Sequence, residues 1–152
     1  MIEISFKEKL ESSINKTNLK KILKIFLKQL FKIDPEISLY ITDNNEIQKL
    51  NKKYRNINRP TDILSWTYYE NAKRVFSKNG QYLTGEIVIS AERVREQAIA
   101  NGWDFDTELI RLVAHGCAHI AGFDHNNSEK EEKEMLDIEI KLLKLIGIKN
   151  IY

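Results

Sequence analysis

His115-Gly116-Cys117-Ala118-His119-Ile120-Ala121-Gly122-Phe123-Asp124-His125 holds all three histidines of the 152-residue chain. His115 and His119 are four positions apart, and side chains at that spacing project from one face of a helix. Neutral imidazole is the commonest metal ligand, and Cβ atoms about 5–6 Å apart let both rings reach one ion. Gly122 then accepts the left-handed backbone that ends helices, so the chain can turn back and carry His125 to the same ion. Three nitrogens leave one position of a tetrahedral metal open, as in a catalytic zinc site rather than a closed structural one. The expectation is one Zn2+ per chain, held by His115, His119 and His125.

The neighbours of these histidines narrow the chemistry. Cys117 lies about 200° round the helix from both His115 and His119, so it points to the core as a small hydrophobe rather than serving as a fourth ligand. Gly116 stands where an H-E-x-x-H zinc peptidase carries its general base, which disfavours peptide hydrolysis. Asp124 is the nearest carboxylate in sequence. It orients a ligand histidine from behind, helps manage the proton of the metal-bound water, or hydrogen-bonds its own backbone as a loop residue.

Around this segment, strands and helices interleave. Ile2, Ile4 and Phe6 alternate as in a strand. Over residues 17–31 apolar groups recur at helical spacing, with Lys20, Lys21, Lys24, Lys28 and Lys32 on the other face. Residues 36–41 read as a strand, and Asp43 with Glu46 opens a helix to about Tyr54. A polar loop from Arg55 to Thr61 leads to a strand at Ile63–Thr67, and Glu86–Ile89 reads as another. Residues 68–82 form a polar hairpin or loop turning at Asn79-Gly80. Ser90 caps a helix over 91–101, the histidine helix runs from about Thr107 to Ala121, and Ser128 with Glu131 opens a last helix to about Ile146. The expected fold is α+β, a mixed four-stranded sheet packed with about five helices, in one domain spanning 1–152.

Composition sets the surroundings. One cysteine excludes an internal disulfide and fits a reducing compartment. The N-terminus lacks the charged start and apolar stretch of a signal peptide, and no apolar run approaches the roughly 20 residues that span a bilayer. The expected location is the cytoplasm, with no membrane partner. Net charge is only +2, yet residues 1–60 carry 13 Lys and Arg against 7 Asp and Glu, while residues 61–152 carry 11 against 15. A basic half can meet nucleic acid, because phosphate neutralisation drives such binding, or it can be a solvated helix face. Lys20, Lys24, Lys28 and Arg59 are the candidate RNA contacts. Arg55 is either a helix-end surface cap or a phosphate-gripping guanidinium.

At this point the chain resembles the YbeY family of metal-dependent endoribonucleases, also called rRNA maturation factors. The family's His-Gly-x-Leu-His-Leu-x-Gly-Tyr-Asp-His motif is matched by His115–His125. Its Tyr-Arg-x-x-x-x-Pro-Thr-Asp-Val-Leu-Ser-Phe stretch is matched by Tyr54–Trp66, and Gly-Asp-Ile-x-Ile by Gly85–Ile89. Ala118, Ile120, Phe123, Glu86 and Trp66 depart from the pattern, and none is an expected ligand. The resemblance implies a zincin-like sheet with the histidine helix packed on it, and zinc on His115, His119 and His125. It further implies a catalytic role for Arg55, and single-strand RNA cleavage in small-subunit rRNA 3′ end maturation and ribosome quality control. The small ribosomal subunit and assembly factors would be its partners. Two other readings compete: a zinc hydrolase of a non-nucleic substrate such as a peptide, and a non-catalytic, metal-stabilised ribosome-assembly factor.

Overall fold

Alternation along four short strands decides which residues face which layer. The computed structural model describes residues 1–10, 13–32, 34–68, 83–123 and 128–152. Strands β1 (Ile2–Phe6), β2 (Ile37–Thr42), β3 (Ile63–Thr67) and β4 (Gly85–Ser90) form one sheet in the order β1-β2-β4-β3. β1, β2 and β4 are parallel, and β3 runs antiparallel to β4. Register aligns Ile4, Leu39, Ile87 and Ser65 in a row across the sheet. Since side chains alternate with period two, this row shares one face, and the apolar row becomes polar only at its β3 end.

That face carries the main core. Helix α1 (Lys16–Leu30) buries Leu19, Ile22, Leu23, Phe26 and Leu27 against it and leaves its lysines outside. Each such side chain contributes about 1.5–3 kcal/mol by leaving water. Helix α4 (Phe105–Ile120) lies on the same face. It is flanked by α3 (Ala91–Asn101) and α5 (Glu129–Leu145). Helix α2 (Asn44–Arg55) covers part of the opposite face, where Ile47 joins Leu64 and Val88 in a smaller cluster.

Two glycines set how closely α4 approaches the sheet. A Cβ on Gly116 would lie 3.0 Å from Ile87 Cδ1 and 3.1 Å from Ile63 Cδ1, and one on Gly85 would lie 2.6 Å from Ile120 Cγ2. Glycine within a helix costs about 1 kcal/mol relative to alanine. At Gly116 that cost is offset by contact between helix and sheet.

The expected α+β architecture with a mixed four-stranded sheet and five helices is present. Boundaries shift by a residue or two. α4 begins at Phe105 rather than Thr107 because the Asp104 carboxylate accepts the Thr107 N–H at 2.8 Å. Thr107 is itself a cap-forming residue type, so the sequence offered two starts. Asp43 caps α2 by accepting the Glu46 N–H at 2.9 Å. The Glu46 carboxylate accepts from the Tyr40 and Thr42 hydroxyls. The turn expected at Asn79-Gly80 lies outside the described residues, as do Asp124 and His125.

Candidate active site

On α4 the four-residue spacing brings His115 and His119 to one side of the helix, both partly exposed on an otherwise largely buried element. They line a cleft of about 340 Å³ together with Arg55, Asp62, Ser65 and Arg111. Each histidine ring is held from behind. His115 Nδ1 lies 2.8 Å from Glu139 Oε1 on α5. A neutral His115 that donates from Nδ1 to this oxygen would carry its lone pair on Nε2. His119 Nδ1 lies 2.7 Å from the Ser65 hydroxyl. A neutral His119 that donates from Nδ1 to this hydroxyl would have the same tautomer.

Such bonds behind the ring are those that metal-ligating histidines make. Ligating histidines donate their second ring N–H to a carboxylate or other oxygen, which fixes tautomer and orientation. A metal at this face would be held through Nε2 of both rings. Among the described residues no group of three His, Cys, Asp or Glu side chains converges on one point. The third expected ligand, His125, and the expected orienting carboxylate, Asp124, lie outside those residues. Cys117 is fully buried, and burial pushes its thiol up to about 12, so it serves as a core hydrophobe as expected.

The two arginines of the cleft differ. Arg111 forms a fork on Glu108, with Nε to Oε1 at 2.8 Å and Nη2 to Oε2 at 2.7 Å. Glu108 is fully buried and also accepts from Gln97 and Trp103. Burial pushes its carboxyl up, but the bonds from Arg111 and Gln97 outweigh that and hold it below the usual range. The fork raises Arg111 in turn, keeping it charged. Arg55 ends α2, where Asn56 adopts a left-handed conformation (φ 59°). Its guanidinium is exposed and, among the described residues, makes only a long 3.5 Å contact from Nη2 to the Ser65 carbonyl.

The structure therefore brings together Arg55, His115 and His119. It does not bring the basic candidates with them. Lys20, Lys24 and Lys28 are exposed on α1, and Lys24 and Lys28 border a separate groove with Ile2, Phe31 and Pro35. Arg59 is exposed, and its backbone carbonyl accepts from buried Asn51.

Ser65, Glu139, Asp62 and Arg111 are the cleft-building residues that sequence reasoning missed. A signal existed for Glu139. Met135, Glu139, Leu142 and Leu143 are the buried positions of α5, so a carboxylate stands in an apolar stripe.

Residues 2–147 match the family described as Endoribonuclease YbeY. The chain belongs to that family. It is 37% identical over 148 residues to Endoribonuclease YbeY of Malacoplasma penetrans, covering 97% of this chain and 95% of the relative. Identity to Endoribonuclease YbeY of Acetivibrio thermocellus is 33% over 139 residues, covering 86% and 85%. The solution structure of TM1509 from Thermotoga maritima superposes with a TM-score of 0.64 at 29% identity, covering 95% of this chain and 87% of that one. Family membership makes the chain an enzyme of the hydrolytic nuclease class. Among the described residues no helix is long and apolar enough to cross a membrane.

Proposed function

We propose that the chain is a zinc-dependent endoribonuclease that cuts single-stranded RNA in ribosomal RNA processing, at the small-subunit 3′ end, and acts in ribosome quality control. The whole of 1–152 is one domain for this task, working in the cytoplasm with the small subunit and its assembly factors. One observation carries the reading. Two histidines, each with Nδ1 committed to a protein oxygen, face a cleft that also holds an exposed arginine.

His115, His119 and His125 would hold the zinc, which when bound supplies Lewis acidity toward a phosphoryl oxygen. Glu139 and Ser65 keep the rings in place, with Asp124 as a further orienting carboxylate. Arg55 donates to the non-bridging oxygens as charge grows on phosphorus, and its planar fork suits that geometry. Asp62, the carboxylate that lines the same cleft, would take a proton from the attacking oxygen. Lys20, Lys24, Lys28 and Arg59 lie outside the cleft, so they would hold RNA backbone away from the scissile bond without reading bases.

The peptidase alternative loses support at Gly116. A peptidase's Glu would have to stand where even a Cβ meets Ile87 and Ile63. The test incubates wild type and His119→Ala with single-stranded RNA and with casein. RNA cleavage by wild type alone, with casein intact, is the expected result. Intact RNA in both reactions would leave the assembly-factor reading, and cut casein would favour the peptidase.

A further inference from the structure

The sheet face opposite the histidine helix is only partly covered by α2 among the described residues. Beside α2 lies a second cleft of about 330 Å³, with Tyr40, Tyr54, Trp66 and Tyr68 in its walls. Tyr54 and Trp66 stand edge to face, with ring centroids 5.6 Å apart and planes at 75°. Tyr54 is 56% exposed. A cation flanks it, with Lys53 Nζ 5.2 Å from its ring centroid. Glu86 is the carboxylate in this cleft, and it accepts from the Tyr68 hydroxyl at 2.7 Å.

These features match what a nucleobase needs. A base offers a π-face for stacking, an edge with N–H donors, and a phosphate at its flank. The carboxylate repels phosphate, so it suits the edge of the base, while the basic rim suits the backbone. A purely apolar peptide face would take out of water the Glu86 lone pairs that the Tyr68 hydroxyl does not satisfy, at a cost.

The cleft also adjoins the candidate active site. Ser65 and Trp66 are consecutive on β3, with Cα atoms about 3.8 Å apart, and they point to opposite faces. Ser65 meets His119, whereas Trp66 lines the aromatic cleft. Among the described residues β3 pairs only with β4, and Arg55 reaches across to the Ser65 carbonyl. RNA crossing this edge past Arg55 would touch both clefts.

We propose that Tyr54 and Trp66 form a stacking subsite for one base of the RNA, with that base's Watson–Crick edge toward Glu86 and its flanking phosphate at Lys53. The inference rests on the endoribonuclease reading. A carboxylate accepts from several donors at once, so Glu86 can hold Tyr68 and a base together. Guanine, with N1–H and N2–H side by side, fits it best.

The experiment measures binding of short fluorescein-labelled single-stranded RNA by anisotropy across a salt series, in a His119→Ala background that does not cleave. Tyr54→Ala and Trp66→Leu should each weaken binding about tenfold, the scale of one lost stacking contact. The slope of log affinity against log salt should stay unchanged, because no phosphate contact is lost. Trp66→Phe should stay near wild type. Glu86→Gln should erase a preference for guanine-containing over uracil-only RNA. With His119 intact, Tyr54→Ala should raise KM for cleavage and leave kcat alone. Wild-type affinity in Tyr54→Ala overturns the subsite, and so does a loss accompanied by a flatter salt slope. Because Tyr54 is exposed, its variant keeps the test valid if Trp66→Leu misfolds. If wild type cuts no RNA yet Tyr54→Ala binds it weakly, the nuclease reading fails and the subsite stands. If RNA is cut and Tyr54→Ala changes nothing, the reverse holds.

Discussion

Arg55 and Arg111 line one cleft and are held in opposite ways. Arg111 is locked by two charge-assisted bonds to a buried carboxylate, so its charge is matched inside the protein. Arg55 sits exposed at a helix end and, among the described residues, makes one long contact to a carbonyl. A matched guanidinium shapes the wall of a site, whereas an exposed one can give its charge to a substrate. The contrast comes from elements rather than residue type: Arg111 faces Glu108 one turn earlier on α4, while α2 ends in the residue that carries the Arg55 side chain outward.

The sharpest way to break this comparison is to exchange the expected phenotypes. Arg111→Ala leaves Glu108 buried without its counter-charge and should cost about 3–5 kcal/mol of stability in urea unfolding. The effect has a pH signature. Because Glu108 is held below its ordinary pKa in the fold, its contribution is complete above the unfolded carboxylate range, near 4.3. It is lost as pH falls through the lowered folded value. Glu108→Gln should therefore flatten the acid limb of the stability curve.

Arg55→Ala should do the reverse, with melting unchanged and turnover on RNA down by roughly 10²–10³, the scale of one lost transition-state donor. Arg55→Lys should recover part of that, since a point charge lacks the planar fork. An Arg55→Ala enzyme of wild-type rate would erase the distinction between the two arginines.

Smaller effects sharpen it further. Glu139→Ala should weaken zinc affinity about 10- to 100-fold in competition titration, with Glu139→Gln milder because its amide oxygen still accepts from His115. Equal zinc affinity in all three proteins would reduce Glu139 to a packing role. Changing Lys20, Lys24 and Lys28 together to Gln should lower the salt slope of RNA binding by at most about 0.7 per lost phosphate contact. An unchanged slope would leave α1 a solvated face.

The histidine spacing, the helix stripes and the strand alternation were legible in the chain because each depends on neighbours a few residues away. Ser65, Glu108 and Glu139 were not, because their roles depend on register and on packing between distant elements. Ser65 acts on His119 only because β3 pairs antiparallel with β4 and presents that residue to α4. Glu139 reaches His115 across 24 positions. Arg111 was opaque for a similar reason: an arginine three residues after a glutamate on a helix is usually a surface pair, and only burial of Glu108 turns it into a wall of the cleft.

In the proposed function the two oriented histidines serve a metal that RNA cleavage requires. The direct measurement is the rate of single-stranded RNA cleavage by wild type before chelation, after chelation and after return of about one zinc per chain, with His125→Ala carried through the same steps. Wild-type activity should disappear on chelation and return with zinc, and His125→Ala should never regain it. Cleavage by the chelated wild-type protein at its original rate would mean that the histidines serve no catalytic metal.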